Sequence, residues 1–229
     1  MPKCKRIVIP DLPHHICHRG NLGQDVFFLD SDRTLYLGLL REHSKPNGVT
    51  IQAYCLMTNH IHVIATPADP DALHRTFERV AGDYAKAIHI RLSRRGHLWQ
   101  GRFRSAPMDE GYFWAAMVYV EQNPVRAGLV KTADAWSWSS VHAHLENRQD
   151  PLLDLTRWHK QYNPTTWREC LSLGLRDACL LGRIRESTRV GRPAASEAFI
   201  AELEQQLGQS LRPRNMGRPR LATTALKSR

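Results

Sequence analysis

Apolar and polar positions alternate with period two in some stretches of this chain and recur at three and four in others, the signatures of half-buried strands and amphipathic helices. Residues 13–19, Pro-His-His-Ile-Cys-His-Arg, predict a first strand, and Gly20-Asn21 closes it with a turn signal. Leu35, Leu37, Leu39 and Leu40, interleaved with Arg33, Arg41 and Glu42, predict a helix from the capping candidates Asp30-Ser31-Asp32 to about Ser44. Pro46-Asn47-Gly48 is a tight turn. Val49 to Met57 predicts the next strand, with Ile51, Ala53 and Cys55 alternating with Thr50, Gln52 and Tyr54. Asn59 starts a further strand that ends before Pro67, and the short break between the two predicts an antiparallel hairpin. Along that strand His60 and His62 point one way, while Ile61, Val63 and the preceding Leu56 can point into a core.

Further on, Leu73, Phe77, Val80, Tyr84, Ala87 and Ile88 predict an amphipathic helix over about 71–94, capped by Asp69-Pro70-Asp71. Leu98 to Ser105 predicts a strand with Trp99 and Phe103 set among Arg102 and Arg104. Asp109-Glu110 opens a helix through Tyr112, Phe113, Met117 and Val120, which Pro124 stops or kinks at Asn123. Residues 131–182 are rich in tryptophan, and Trp136-Ser-Trp138-Ser-Ser is expected to pack at the rim of the domain. After Leu181 come Arg183, Arg185, Arg189 and Arg192, a short helix over about Ser196 to Leu207, and a polar tail expected to be disordered. This divides the chain into a core over 1–145, a Trp-containing extension packed on or linking from it over 146–182, and a basic tail over 183–229 that is not part of the core.

Composition narrows the classes. The 229 residues, 42% hydrophobic, suffice for one globular core plus an appendage rather than two large domains. The formal net charge of +10 favours polyanionic partners, nucleic acid first. The five cysteines, Cys4, Cys17, Cys55, Cys170 and Cys179, are odd in number and widely spaced, which supports neither a disulfide framework nor a zinc ribbon. Cys17 and Cys55 read as small buried hydrophobes, and a reducing cytosol is the expected home. No stretch approaches the roughly 18 apolar residues that span a bilayer, and the N-terminus lacks the apolar run of a signal peptide, so no membrane association is expected. Arg75, Arg79, Lys86, Arg91, Arg94 and Arg95 line the polar face of the long helix, either as a solvated face or as a track for a phosphate backbone. Trp99 and Phe103 are either core residues or platforms on which bases stack.

The candidate chemistry lies in two places. His60 and His62, side by side on one strand face, make a half-site for a divalent metal, although His-x-His alone is a weak signal. Tyr119 and Asn123 lie one turn apart on one helical face. A phenol with a pKa of about 10 is a poor nucleophile at neutral pH. A divalent cation beside it would withdraw charge from a phosphodiester and orient it for in-line attack. The Asn123 carbonyl is a plausible third ligand beside the imidazoles, a set that suits Mg²⁺ or Mn²⁺ only moderately, with Mn²⁺ the better match. Tyr112, about two turns nearer the helix start, is the rival nucleophile and has no amide one turn on. Without the histidines, Tyr119 would read as an ordinary half-buried helix tyrosine.

Asn59-His60-Ile61-His62-Val63-Ile64, Leu98-Trp99-Gln100-Gly101-Arg102-Phe103 and Tyr119-Val120-Glu121-Gln122-Asn123-Pro124-Val125-Arg126-Ala127-Gly128-Leu129-Val130 resemble, in this order, the motifs of the single-tyrosine HUH transposases. Among these the chain is most similar to the REP-associated tyrosine transposases. Leu12-Pro13-His14-His15-Ile16 with Arg19-Gly20-Asn21 fits the first strand of that family, and the match covers about residues 7 to 145. The resemblance implies an α+β fold: a ferredoxin-like sheet with helices on one face and the two histidines at its centre, followed by a helical, basic C-terminal extension. It implies that His60 and His62 bind the metal, with Asn123 where some relatives have the longer Gln, so that a bridging water is an alternative to direct ligation. It implies that Tyr119 attacks a phosphate of single-stranded DNA, giving a 5′-phosphotyrosine and a free 3′-hydroxyl that can be rejoined without ATP. The expected partner is single-stranded DNA with hairpins, of REP or other palindromic sequence, bound by a cytoplasmic, nucleoid-associated monomer or homodimer. Expected DNA contacts are Arg19, Arg91, Arg94, Arg95, Trp99, Arg102, Arg104, Arg126 and, in the tail, Arg218 and Arg220 of Gly217-Arg218-Pro219-Arg220, which resembles an AT-hook core. Two other readings stay open: a non-catalytic DNA or RNA hairpin binder on the same fold, and a replication initiator or plasmid relaxase. The short chain and the histidines-before-tyrosine order speak against the last.

Overall fold

The first half of the chain folds as β1 (His14–Arg19), α1 (Asp30–Ser44), β2 (Val49–Leu56), β3 (His60–Pro67), α2 (Ala72–Leu92) and β4 (Arg104–Pro107). The computed structural model describes residues 6–146, 148–175 and 177–212. The strands form a four-stranded sheet in the order β2-β3-β1-β4, and every pair is antiparallel. The βαββαβ order with this strand arrangement is the ferredoxin-like split βαβ, so the α+β class holds. The second half adds α3 (Glu110–Glu121), the single turn α4 (Asn123–Arg126), α5 (Val141–Glu146), α6 (Thr156–Gln161), α7 (Pro164–Leu173), α8 (Ala178–Val190) and α9 (Glu197–Leu207).

Helices cover both faces of the sheet, not one. Tyr36 and Leu40 of α1 and Phe77, Val80, Tyr84 and Ile88 of α2 pack against Ile16, Tyr54, Leu56, Ile61 and Val63. On the other face Ala53, Cys55 and Ile64 meet Phe113, Met117 and Val120 of α3, Trp158, Trp167 and Ile184. The physical reason is visible in β2, where only Thr50 is exposed: a strand buried on both sides needs a layer on each. Its alternation also breaks. The register with β3 shifts between Ile51 and Ala53, so the bulge at Gln52 puts Ile51 and Tyr54 on one face and Ala53 and Cys55 on the other.

The strand expected over Leu98 to Ser105 is instead Arg104–Pro107, and residues 98–103 form a loop across the end of the sheet. Gly101 has φ +100°, a backbone conformation that no strand contains and that favours glycine. The loop is held by Leu98 O, which accepts from Asn21 N (2.9 Å), and by Gln100 N, which donates to Arg19 O (2.8 Å).

The boundary expected near residue 183 falls inside α8. Ile184 of that helix is fully buried, Ala194 N donates to Pro107 O (2.9 Å), and Asp109, which caps α3 through Tyr112 N (2.9 Å), also accepts from Ser196 N (2.8 Å). The exposed arginines of α8 hide its buried stripe, Ile184 and Thr188, one turn apart. The other edge of the sheet is covered too: Leu56 N donates to Trp138 O (2.8 Å), Ser140 N to Tyr54 O (3.0 Å) and Asp154 N to Ile51 O (2.8 Å), which closes β2 against strand addition.

One buried carboxylate fastens α3 to these additions. Glu121 accepts from Ser140 Oγ (2.6 Å) and His144 Nδ1 (2.6 Å) on one oxygen and from Trp167 Nε1 (2.9 Å) on the other. Burial alone would push its pKa up; the His144 ring and the hydroxyl and indole donors outweigh burial and hold it below the ordinary value. Glu121→Ala, which strands the buried His144 and Trp167 donors, is expected to destabilise the protein by about 3–5 kcal/mol, read as the urea unfolding free energy at pH 7. A loss under about 1 kcal/mol would mean that this carboxylate does not hold α3 in place.

Candidate functional site

Strand alternation brings His60 and His62 to the face that α3 covers. The antiparallel pairs Cys17↔His62 and Arg19↔His60 put His15, Cys17 and Arg19 of β1 on that same face. The His60 and His62 rings lie 4.9 Å apart between centroids and nearly perpendicular at 81°. Tyr119, near the end of α3, sets its ring edge-on to both strands, 5.6 Å from His62 and 5.6 Å from His15. The Arg126 guanidinium lies over the tyrosine, with Cζ 4.1 Å from the ring centroid. Together with Asn123, these side chains line a cavity of about 580 Å³. Gly20 permits the tight turn beside it: a Cβ there would come within 2.2 Å of Gln24 O.

The helix stops at Glu121 and a new turn begins at Asn123, as Pro124 requires. That turn folds Arg126 back, so its guanidinium donates to Asn123 Oδ1 (2.7 Å) and to Tyr119 O (2.8 Å). The amide oxygen expected to be a ligand is therefore tied to a cation, and Asn123 Nδ2 is buried without a partner. Burial is the first cause of every histidine shift here. It brings His60 to about 4, with the Arg19 charge adding to it, and His15 to about 3, with Arg126 and His60 adding. It holds His62 well below its ordinary value, with His60, His15, Arg126 and Arg19 contributing.

All three rings are thus neutral at pH 7, the form that can bind a metal. His60 Nδ1 lies 2.6 Å from Asn59 Oδ1, and His62 Nδ1 lies 2.8 Å from His15 Nε2. Both Nδ1 atoms are engaged behind the site, which leaves the Nε2 atoms as donors to an ion, the usual backing of ligating histidines. Among the described residues no three His, Cys, Asp or Glu side chains form a metal cluster. The two imidazoles, with waters and phosphate oxygens filling the remaining positions, would suit a divalent cation.

Residues 11–123 match the family described as IS200-like transposases. The chain carries a domain of the IS200-like transposase family. A solved structure described as a REP-associated tyrosine transposase bound to a REP hairpin shares the fold, with a TM-score of 0.56 at 18% identity over 67% of this chain and 92% of that one. A candidate transposase from Deinococcus radiodurans R1 aligns over 52% of this chain and 96% of that one, at 20% identity and a TM-score of 0.38. No curated protein matches the chain. Among the described residues no helix is long and apolar enough to cross a membrane.

Around the transposase domain's cavity, the expected Arg19, Arg102, Arg104 and Arg126 all line the wall. Other expected DNA contacts lie elsewhere. Arg91 makes a two-pronged ion pair with Asp32 (2.7 Å to each oxygen), Arg94 lies over Phe28 at 5.6 Å, and Arg95 is exposed beyond the end of α2. The helix that carries Arg91 and leads into Arg94 and Arg95 packs on the sheet face opposite the histidines, which removes this basic stripe from the site. Trp99 is a core residue: its indole donates to Ala81 O (3.1 Å), and its face is covered by His18 at 4.3 Å. Arg218 and Arg220 lie outside the described residues. Tyr112 is not in the cavity; its hydroxyl accepts from Arg183 (3.2 Å).

The cavity also contains residues that the sequence pattern did not mark as site residues, chiefly His15 on β1 and Arg185, Thr188 and Arg189 on α8. The signal for His15 was its parity with Arg19 on the first strand. Cys17, expected to be a buried filler, lines the cavity as well.

Several of these histidines make the fold acid-sensitive. His14 and His18, pushed to about 4 by burial, and His15, pushed to about 3, protonate in the unfolded chain near 6.5 but not in the folded one. Their contribution is complete above pH 6.5 and is lost as pH falls towards 4, each steepening the loss by up to about 1.4 kcal/mol per pH unit. Urea unfolding between pH 7 and 4.5 should show this decline; a flat profile would mean that these rings are charged in the fold.

Proposed function

We propose that the protein cuts and rejoins single-stranded DNA at hairpins, with Tyr119 as nucleophile and a divalent cation held by His60 and His62. The observation that carries this reading is the meeting of the Tyr119 ring with His62 at 5.6 Å in one arginine-walled cavity, from elements far apart in the chain. When bound, Mn²⁺ or Mg²⁺ would withdraw charge from the scissile phosphodiester and orient it. The phenol oxygen attacks the phosphorus and its proton passes to solvent. The bond from phosphorus to the 3′-oxygen breaks, and that oxygen takes up a proton as a free 3′-hydroxyl. The DNA 5′-phosphate stays on Tyr119, and attack by a 3′-hydroxyl reverses the step, so the covalent link conserves the bond without ATP. The Arg126 and Arg185 guanidiniums, 4.1 and 6.0 Å from the tyrosine ring centre, supply positive charge to the attacked phosphate. Arg19, Arg102, Arg104 and Arg189 follow the flanking phosphates, which makes binding salt-dependent.

Hairpin DNA is the proposed substrate because the fold is shared with a transposase described as bound to a REP hairpin. The proposed reaction takes Tyr119 within its own chain, where it already lies beside His62. The alternative is a non-catalytic hairpin binder, favoured by the Asn123 amide oxygen being tied to Arg126. The two part in one experiment: a labelled hairpin oligonucleotide is incubated with protein and Mn²⁺, then run under denaturing conditions. A covalent adduct is expected for the wild type and for Tyr112→Phe. Tyr119→Phe is expected to form none while still retarding the hairpin on a native gel. Adduct formation by the Tyr119 variant but not by the Tyr112 variant would transfer the nucleophile role to Tyr112. No adduct from any protein, with retardation intact, would leave the binder.

A further inference from the structure

Behind His62 runs a chain of buried hydrogen bonds that ends on α8. Thr188, on α8, donates its only hydroxyl proton to Ile184 O (2.9 Å). Engaged in this way, its oxygen lies 2.7 Å from His15 Nδ1 and is placed to accept, the arrangement in which His15 carries its proton on Nδ1. A neutral imidazole has one N–H, so in that arrangement His15 Nε2 is the acceptor and His62 Nδ1, 2.8 Å away, donates to it. The two rings are nearly coplanar, 19° apart with centroids 5.0 Å apart, as an in-plane N–H···N bond requires. His15, His62 and Thr188 are exposed by only 1%, 5% and 5%, so water does not compete for these groups.

We propose that α8 acts on the site through this relay: Thr188 and His15 are positioning residues that lock His62 in the Nδ1–H tautomer and turn its Nε2 lone pair to the cavity. Thr188 lies well beyond the residues that match the transposase family, which end at 123. The relay's bearing on a bound cation rests on the function proposed above; its bearing on the His62 tautomer does not. Without the hydroxyl, His15 loses its acceptor and can move its proton to Nε2. His62 Nδ1 would then have to accept, its own proton would sit on Nε2, and the position facing the cavity would be blocked.

The test uses the full chain without metal and with Mn²⁺. Nitrogen-15 NMR of the imidazoles should show His62 protonated on Nδ1 in the metal-free wild type and on Nε2, wholly or in part, in Thr188→Val. Mn²⁺ titration calorimetry should show affinity falling roughly 10–100-fold in Thr188→Val and returning in Thr188→Ser. An Nε2–H tautomer in the wild type overturns the relay, with no variant needed should Thr188→Val fail to fold. So does a folded Thr188→Val with unchanged tautomer and unchanged affinity. An Nδ1–H wild type that binds no Mn²⁺ upholds the relay and overturns the metal-dependent cleavage reading instead.

Discussion

The pairing of β1 with β3 is the constraint from which the rest follows. Its register puts His15, Cys17 and Arg19 on the same face as His60 and His62 and puts Ile16 opposite Val63 on the other. A slip of one residue would turn Ile16 and the histidines of β1 to the wrong sides at once. Both faces are roofed by helices, so such a slip would turn the Arg19 charge towards the aromatics of α1 and α2. The large buried set on that side, Tyr36, Phe77, Tyr84 and Trp99 with Ile16 and Val63, is therefore what specifies where the polar cluster on the far side must stand.

That arrangement asks the fold to bury several imidazoles, which is unfavourable unless each finds a partner. The partners are local where the strand ends and distant where it does not. His60, at the strand's mouth, uses its neighbour Asn59, whose amide nitrogen in turn holds Gly23 O at 3.0 Å. His62, deeper in, has no neighbour to use and pairs across the sheet with His15, which must look to α8 for its own acceptor. Keeping the rings neutral suits metal binding and weakens the protein in acid; the same burial produces both effects.

Strand parity and helix spacing made much of the centre legible in the sequence. His60 and His62 share a face because strands alternate, and Tyr119 and Asn123 share one because a helical turn is close to four residues. What pattern could not convey was which side of the sheet each helix would cover. Arg91, Arg94 and Arg95 form a plausible phosphate track in one dimension, but α2 and the segment just after it lie in the layer opposite the cavity, where Asp32 claims Arg91. Trp99 among arginines reads equally well as a stacking platform or as core, and only the tertiary packing of His18 against its face decides. The contact between His15 and Thr188 joins positions 173 apart, a separation at which no local pattern operates.

The same separation bears on how the C-terminal segment is to be understood. The arginines of α8 suggested a tail added to a finished domain, yet the sheet is not finished without it. β4 is an edge strand of four residues, and an edge left uncovered presents unpaired backbone groups. α8 packs beside β1 and β4, Ile184 fills the layer under α3, and Ala194 pairs with Met108 just past the strand's end. Arg104 of that strand donates to Arg189 O on the same helix. One element thus closes an edge, fills a core and meets the polar cluster that the β1–β3 register sets up, and it lies outside the segment that identifies the family. A boundary drawn where the family resemblance stops would strip His15 Nδ1 of its buried partner Thr188 and take Arg185 and Arg189 out of the cavity wall, and this makes α8 part of the site rather than an attachment to it.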